Sequence, residues 1–247
     1  MSEIDLPADH PRYASLLTRH RIEDGVEKGI TSKQGLIAQG RGEAFDYLLG
    51  EQTIPSADRA ERAAAAQLLL ADHPVLSVNG NVAALVAPEI VDLAAAVDAD
   101  IEVNLSNRTE ERMEAIAAHL REHGADAVTG RTADGRIANL SHERAKVDAD
   151  GIGAADVVVV PLEDGDRAEA LADLDKTEIV IDLNPLSRSA QTAAIPIVDN
   201  IIRAVPTMTE HAEELQGSAS ETLHTIVDQF AASDALTAAE EAIRTGV

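Results

Sequence analysis

The chain changes its pattern of apolar positions near Pro74 and returns to a helical pattern from about 207. Residues 11–72 read as mostly helical, with breaks near Gly29-Ile30-Thr31 and between Gly50 and Pro55. The alanine-rich stretch from Ser56 to Asp72 is a strong helix signal by propensity. From Pro74 onward, short runs rich in branched residues appear at 75–79, 101–105, 157–161, 178–183 and 195–198, with a weaker one at 126–129. Val157-Val158-Val159-Val160 and Ile179-Val180-Ile181 do not alternate with polar residues, which suits strands buried on both faces of a parallel sheet. Helical stretches lie between the runs. Met113, Ile116, Ala117 and Leu120 follow i, i+3, i+4, i+7 spacing within 109–123, with Asn107 and Glu110 resembling a capping box and Gly124 suiting the helix end.

Alternating βαβ units predict an α/β fold with a doubly wound, mostly parallel sheet and helices on both faces. The expected organisation is one domain: a helical N-terminal segment over 1–73, an α/β core over 74–206 and C-terminal helices over 207–247. In the last of these, Leu223, Ile226, Val227 and Phe230 form one apolar stripe. Core packing is the preferred use of that stripe, with a dimer contact as the competitor.

Composition narrows the function. The formal net charge of −24, from 44 acidic and 20 basic residues, argues against a nucleic-acid or anionic-membrane partner. Disorder requires low hydrophobicity, whereas 45% of residues are apolar. Adaptation to high salt, where the Debye length falls to about 3 Å at 1 M, accounts for the surplus of carboxylates. The chain has no cysteine, so thiol catalysis, disulfides and thiolate metal sites are excluded. Met-Ser-Glu-Ile-Asp at the start lacks an export pattern, and no apolar run approaches the ~20 residues that span a bilayer, so a cytoplasmic protein is expected. The N-x-[ST] matches at Asn104, Asn107 and Asn139 then carry no glycosylation meaning.

In open parallel sheets ligands bind beyond the carboxyl ends of the strands. There the runs lead into Asn79-Gly80-Asn81, Ser106-Asn107-Arg108, Glu163-Asp164-Gly165-Asp166-Arg167, Asp182-Leu183-Asn184 with Arg188 and Ser189, and Asp199-Asn200 with Arg203. Arginine suits phosphate because its planar fork binds two oxygens at once, so a multiply anionic ligand is expected over plain solvated loops. Gly80 and Gly165 allow close backbone approach or tight turns. A second cluster, Lys33 with Gly40-Arg41-Gly42-Glu43 and Phe45-Asp46-Tyr47, lies in the helical segment, below His10-Pro11-Arg12-Tyr13, Arg19 and Arg21. A capped helix break with surface arginines is an equal reading of it.

Other motifs fail. No P-loop is present, and no G-x-G-x-x-G follows a strand, which disfavours NAD; Gly151-Ile152-Gly153 precedes a strand and reads as a turn. His119-Leu120-Arg121-Glu122-His123 matches an inverted zinc-protease pattern, but at the end of an amphipathic helix, where histidine also favours the helix dipole; zinc is not expected.

Four longer strings go further: residues 35–47 (Gly-Leu-Ile-Ala-Gln-Gly-Arg-Gly-Glu-Ala-Phe-Asp-Tyr), Ser77-Val-Asn-Gly-Asn81, Val160-Pro-Leu-Glu-Asp-Gly-Asp-Arg167 and Asp182-Leu-Asn-Pro-Leu-Ser-Arg188. Together they resemble the archaeal phosphopantothenate synthetase family, also called 4-phosphopantoate–β-alanine ligase, from His10 to about Arg203. An archaeal, salt-loving source would suit the charge. The resemblance implies a Rossmann-like homodimer that uses ATP to condense 4-phosphopantoate with β-alanine, releasing AMP and diphosphate on the route to coenzyme A. It carries ATP contacts to Arg19, Arg41, Asp182, Leu183, Asn184, Arg188, Ser189, Asp199 and Asn200. Mg²⁺ is expected to bridge the phosphates. Asn79, Asn81, Arg108 and Arg167 are assigned to the 4-phosphate and pantoyl hydroxyl. ATP is thereby expected at the last two strands, with Arg19 and Arg41 folding over them from the helical segment. Gln39 and Ser106 depart from the family pattern, which has His and an aromatic residue there, and no general base is assigned. The rival readings are a nucleotide-binding sensor without catalysis and an atypical NAD(P) oxidoreductase.

Overall fold

A computed structural model describes residue 7 and residues 9–10, 12–138, 140–162 and 165–246. The initial Met-Ser-Glu-Ile-Asp, Pro11, Asn139, Glu163 and Asp164 lie outside the described residues. Three helices come first: α1 (Tyr13–Glu27), α2 (Lys33–Leu49) and α3 (Pro55–Leu70). The α/β part follows as β1 (Pro74–Val78), α4 (Gly80–Val97), β2 (Asp100–Val103) and α5 (Glu110–Glu122), then a two-residue hairpin pair, β3 (Gly135–Arg136) and β4 (Lys146–Val147). It continues as β5 (Val157–Pro161), α6 (Gly165–Ala172), β6 (Thr177–Asp182), α7 (Arg188–Thr192) and β7 (Ile195–Val198). Helices α8 (Ile201–Leu215), α9 (Ser220–Asp228) and α10 (Ala232–Thr245) close the chain.

The main sheet has the order β2-β1-β5-β6-β7, and every pairing is parallel. The chain leaves β1 toward one edge and returns at β5 to build the other, so a topological switch point lies between β1 and β5. The unbroken apolar runs have a direct cause. Val157 and Val159 belong to the larger core with α3, α4, α5 and α8, while Val158 and Val160 belong to a second core with α6 and the 137–155 segment. Both faces of β5 are buried, so alternation has no polar side to report.

Several expectations resolve differently. Residues 126–129 supply only an isolated parallel bridge, Thr129 to Glu102, at the β2 edge. The cap of α5 is Thr109, whose hydroxyl accepts from Arg112 N at 3.3 Å, and not Asn107. Gly124, with φ +103°, does end that helix. Helix α8 runs through the 206/207 boundary, with Pro206 inside it. One helix, α4, is long and apolar enough to cross a membrane by length and composition, yet 67% of it is buried in the fold. It bends at Val86, two residues before Pro88, and Arg21 donates to the Leu85 carbonyl there at 2.6 Å. Leu223 is buried and Ile226, Val227 and Phe230 pack on the larger core, so the C-terminal stripe is used internally.

The expected turn at 151–153 has a buried client. Ile152 N and Asp148 N donate to Glu102, which is fully buried in β2, at 2.7 and 3.2 Å. Burial, opposed by those donors, still pushes its carboxyl up to about 7.

Candidate functional site

The carboxyl edge of the sheet is crossed by α2. Its 17 residues span roughly 25 Å at 1.5 Å each, enough to reach over a five-stranded sheet. Each end is tied down by an asparagine. Near the start, Asn81 accepts from Thr31 Oγ1 at 2.5 Å and donates to the Gly35 carbonyl at 3.1 Å. A side chain at Gly35 would bring its Cβ to 2.3 Å from Asn81 Oδ1, so this contact requires glycine. Near the finish, Asn200 donates to Asp46 at 2.9 Å, and Arg203 bridges Asp46 (2.7 Å) and Asp199 (2.6 Å).

Under the first end lies a cavity of about 530 Å³ at the switch point. The β1–α4 turn forms its floor. Asn79 caps α4 by accepting from Asn81 N and Val82 N (3.0 and 3.1 Å), while its amide donates across the switch point to the Pro161 carbonyl at 3.1 Å. Gly80 lets the Ile30 carbonyl and the Arg112 guanidinium close on the helix start, where a Cβ would sit 2.6 and 3.0 Å from them. Gly165 is likewise approached by protein, the side chain of Arg188.

The walls carry Lys33, Arg41, Arg112 and Arg144, and among the described residues that line the cavity none is aspartate or glutamate. In a chain of charge −24 this is a concentrated positive field, reinforced by the N-terminus of α4. Arg112 is fixed by donating to the Asn107 carbonyl at 2.6 Å, and partial burial lowers its pKa from the ordinary value, though not enough to discharge a guanidinium. The chemistry available is recognition of a phosphate or carboxylate.

The opposite end of α2 is built from carboxylates. Asp199 is buried and accepts from Thr53 Oγ1 (2.6 Å), Arg203 and its neighbour's backbone N–H. Burial raises its pKa, while Arg203 and Thr53 pull the other way. Beneath it Glu61 is fully buried with no hydrogen-bond partner for either oxygen, and burial followed by the charges of Asp199 and Asp58 pushes it up to about 9. Between the ends, the loop after β6 folds on itself. Asp182 accepts from Ser187 Oγ (2.5 Å) and Asn184 N (3.2 Å), Asn184 accepts from Leu186 N (3.0 Å), and Ser187 caps α7.

The residues singled out in sequence are therefore dispersed into four groups. Arg41, Asn79 and Asn81 line the cavity. Asp182, Asn184 and exposed Arg188, which contacts Asp166 and Glu169, form the adjoining loop, and Leu183 packs beside α2. Ser189, Asp199 and Asn200 are buried. Arg19, Arg108 and Arg167 are occupied away from the cavity lining. Arg19 and Arg12 clasp Glu43 together with Ser15 and Tyr47, and the Arg19 hydrogen bond, against desolvation, holds that carboxyl down near 2. Arg108 donates to the Gly130 and Arg131 carbonyls. Arg167 is fully buried against Ser77 Oγ (3.2 and 3.3 Å), where a direct phosphate contact would first require it to leave the core.

Two cavity residues, Arg112 and Arg144, were missed. Arg112 sits three residues beyond the cap of α5, a place where i, i+3 proximity to a strand end was the available signal. Arg144 lies in a 3-10 turn (Glu143–Ala145) between β3 and β4, where the sequence carries no periodicity. A larger cavity, about 720 Å³, opens between α1, α4 and α5. It contains His119 and His123, edge to face at 4.5 Å, and reaches no strand end.

Comparison with known proteins bears on this geometry. Residues 56–246 match the family model described as phosphopantothenate/pantothenate synthetase. A protein of Thermococcus kodakarensis named 4-phosphopantoate–β-alanine ligase is 56% identical over 228 residues, covering 92% of this chain and 87% of its own. A Methanosarcina mazei protein of the same name is 51% identical over 245 residues, covering 98% and 96%. The family match begins inside α3, whereas the second relative extends across almost the whole chain, and so over α1 and α2.

Proposed function

The chain belongs to the phosphopantothenate/pantothenate synthetase family, and from that premise we propose that it condenses 4-phosphopantoate with β-alanine to 4-phosphopantothenate, consuming ATP and releasing AMP and diphosphate. One observation carries the reading: a basic cavity at the switch point of a parallel sheet, in a chain of net charge −24. A substrate with a phosphate at one end and a carboxylate at the other needs such a field.

A carboxylate resists attack by an amine. A pantoate carboxylate oxygen first attacks the α-phosphorus of ATP, and diphosphate leaves with the electron pair of the broken bond. The amine of β-alanine then attacks the acyl carbon of the adenylate, loses a proton, and AMP departs. Both steps depend on positioning and charge neutralisation more than on a strong base. In this reading Lys33, Arg112 and Arg144, at the α4 N-terminus, take the 4-phosphate, with Asn79 and Asn81 shaping the floor. ATP lies toward β6 and β7. Arg41 stands between the two substrates, and Asp182, Leu183, Asn184 and Arg188 meet the nucleotide from the β6 loop. Buried Ser189, Asp199 and Asn200 act by fixing the strand ends. Binding the triphosphate exchanges the carboxylate partners of exposed Arg188 and Arg19, Asp166 and Glu43, for phosphate oxygens. Mg²⁺ arrives with ATP as part of the substrate, held by phosphates and water. The active form is a cytoplasmic homodimer adapted to high salt.

The test is to incubate the protein with ATP, Mg²⁺, 4-phosphopantoate and β-alanine in about 1 M KCl, where surface repulsion is screened, and to measure AMP. AMP formed only with both organic substrates is the expected result. ATP binding without AMP would leave a nucleotide sensor, and ADP would redirect the mechanism to an acyl phosphate.

A further inference from the structure

The edge strand β2 and the residue after it carry two buried polar side chains that the proposed reaction does not use. Glu102 and Asn104 are two residues apart on extended chain, so both turn to the same side, toward the 130–156 segment. Glu102 offers acceptors and takes the backbone N–H groups of Ile152 and Asp148, at 2.7 and 3.2 Å. Asn104 offers a donor: its amide Nδ2 meets the backbone carbonyls of Lys146 and Arg144, at 2.9 and 3.3 Å. The two side chains match in kind what the segment presents to them. A one-residue slip of the hairpin would break both pairs.

Asn104 links two parts of the cavity. Its backbone N–H donates at 2.9 Å to the carbonyl of Val78, the last residue of β1, and the next residue, Asn79, begins the cavity floor. Its side chain holds the backbone at Arg144, which supplies part of the wall. One residue therefore registers wall against floor, across 40 residues of sequence on the wall side.

The amide is poorly placed for stability alone. Asn104 is 1% exposed, and its Oδ1 has no partner among the described residues. An unpaired buried amide oxygen is destabilising, so the half of this side chain that serves the fold is its NH2 group. Arg144 depends on it because little else fixes that stretch. It lies in a three-residue 3-10 turn, and the strands beside it are two residues long. A long guanidinium side chain meets an anion productively only when its backbone is held, and a 1 Å misplacement can cost about 100-fold.

We propose that Asn104 is a positioning residue for the reaction, acting through Arg144: it holds the 144–146 backbone so that the Arg144 guanidinium meets the phosphate end of the substrate. Asn104 is not part of the cavity lining, so its effect reaches the ligand only through what it holds. The proposal rests on the reading of the cavity as the 4-phosphopantoate site and adds the residue that sets one of its walls.

The experiment is calorimetric titration of the full chain with 4-phosphopantoate in about 1 M KCl, without ATP, so that binding is read apart from turnover. Arg144→Ala should weaken binding roughly tenfold, the loss of one charge-assisted contact. Asn104→Leu should weaken it nearly as much, although every charge of the cavity is kept. The double variant should bind no worse than Arg144→Ala alone. Asn104→Ser, whose hydroxyl is too short to reach both carbonyls, should show the same loss and replaces the leucine variant if that one does not fold. Wild-type affinity in the Asn104 variants, or in Arg144→Ala, would overturn the proposal while leaving the cavity as the site. Effects that add in full in the double variant would overturn it too, since Asn104 would then act on the fold at large. A wild type that does not bind 4-phosphopantoate would overturn the cavity reading and this proposal together.

Discussion

The two ends of α2 meet the same sheet edge with opposite chemistry. At the β1 end, four basic side chains surround a cavity whose described lining holds no carboxylate. At the β7 end, Asp46, Asp199 and Glu61 crowd around Arg203 in a packed interior. The first end is open to solvent and basic, which suits it to an anion that arrives and leaves. The second is satisfied internally, apart from the proton-bearing Glu61, and serves to hold the helix. In the proposed reading, binding and anchoring belong to separate ends of one strap. The division matters because a buried network is costly to disturb, whereas an open basic pocket tolerates loss of a side chain.

That contrast can be broken most severely at Arg203. Arg203→Leu leaves Asp46 and Asp199 buried without their cation and should cost about 3–5 kcal/mol in urea unfolding, with activity lost only as far as the fold is. A fully stable variant would show that the β7 end does not anchor α2. At the other end Arg112→Ala should lower kcat/KM for 4-phosphopantoate roughly 100-fold, about 2.7 kcal/mol, while Tm stays nearly constant. Arg108→Ala should be far milder, because Arg108 serves a loop. Equal losses from the two would remove the cavity from the substrate site.

Glu61 sharpens the comparison through pH. Its folded pKa, about 9, is raised above the ordinary carboxylate value of 4.5, so folding takes up a proton between those values. The associated stability is fully present below about 4.5 and is lost as pH rises through 9. Glu102, at about 7, adds to the slope only in the lower part of that window. Between pH 7 and 9 the wild type should therefore lose up to about 1.4 kcal/mol per pH unit from this one proton. Glu61→Gln should flatten that slope in urea titrations at pH 7, 8 and 9; an unchanged slope would mean that Glu61 ionises freely. The smallest effect is expected at Asn79, where Asn79→Ala removes the α4 cap and should cost about 1 kcal/mol. Its KM for 4-phosphopantoate should rise modestly as the floor of the cavity loosens, and an unchanged KM would detach that turn from the substrate.

The sheet and its helices were legible because their cause is local. The runs at 157–161 and 195–198 match β5 and β7 residue for residue, and the stripe Met113, Ile116, Ala117, Leu120 is the buried face of α5. Short four- to six-residue strands buried on both sides leave a mark that neighbouring sequence cannot blur. The segment 130–156 left no such mark, since its burial comes from turns and two-residue strands. Arg144 was lost with it. Arg108 and Arg112 show the same limit at closer range: both follow β2, but the helical turn between them points one at a loop carbonyl and the other into the cavity.

What the sequence determined alone was the order of elements, the edge of the sheet where polar chemistry collects, and, through four specific strings, the family. Periodicity and motif are properties of neighbours along the chain. What each arginine meets was decided only by the tertiary structure, because the partners are far away in sequence: Glu43 pairs with Arg19 from 24 residues off, Ser77 meets Arg167 from 90, and Asp46 pairs with Arg203 from 157. A guanidinium looks alike in every strand-end loop. Only the fold settles whether it turns to a carboxylate, to a backbone carbonyl or toward the cavity.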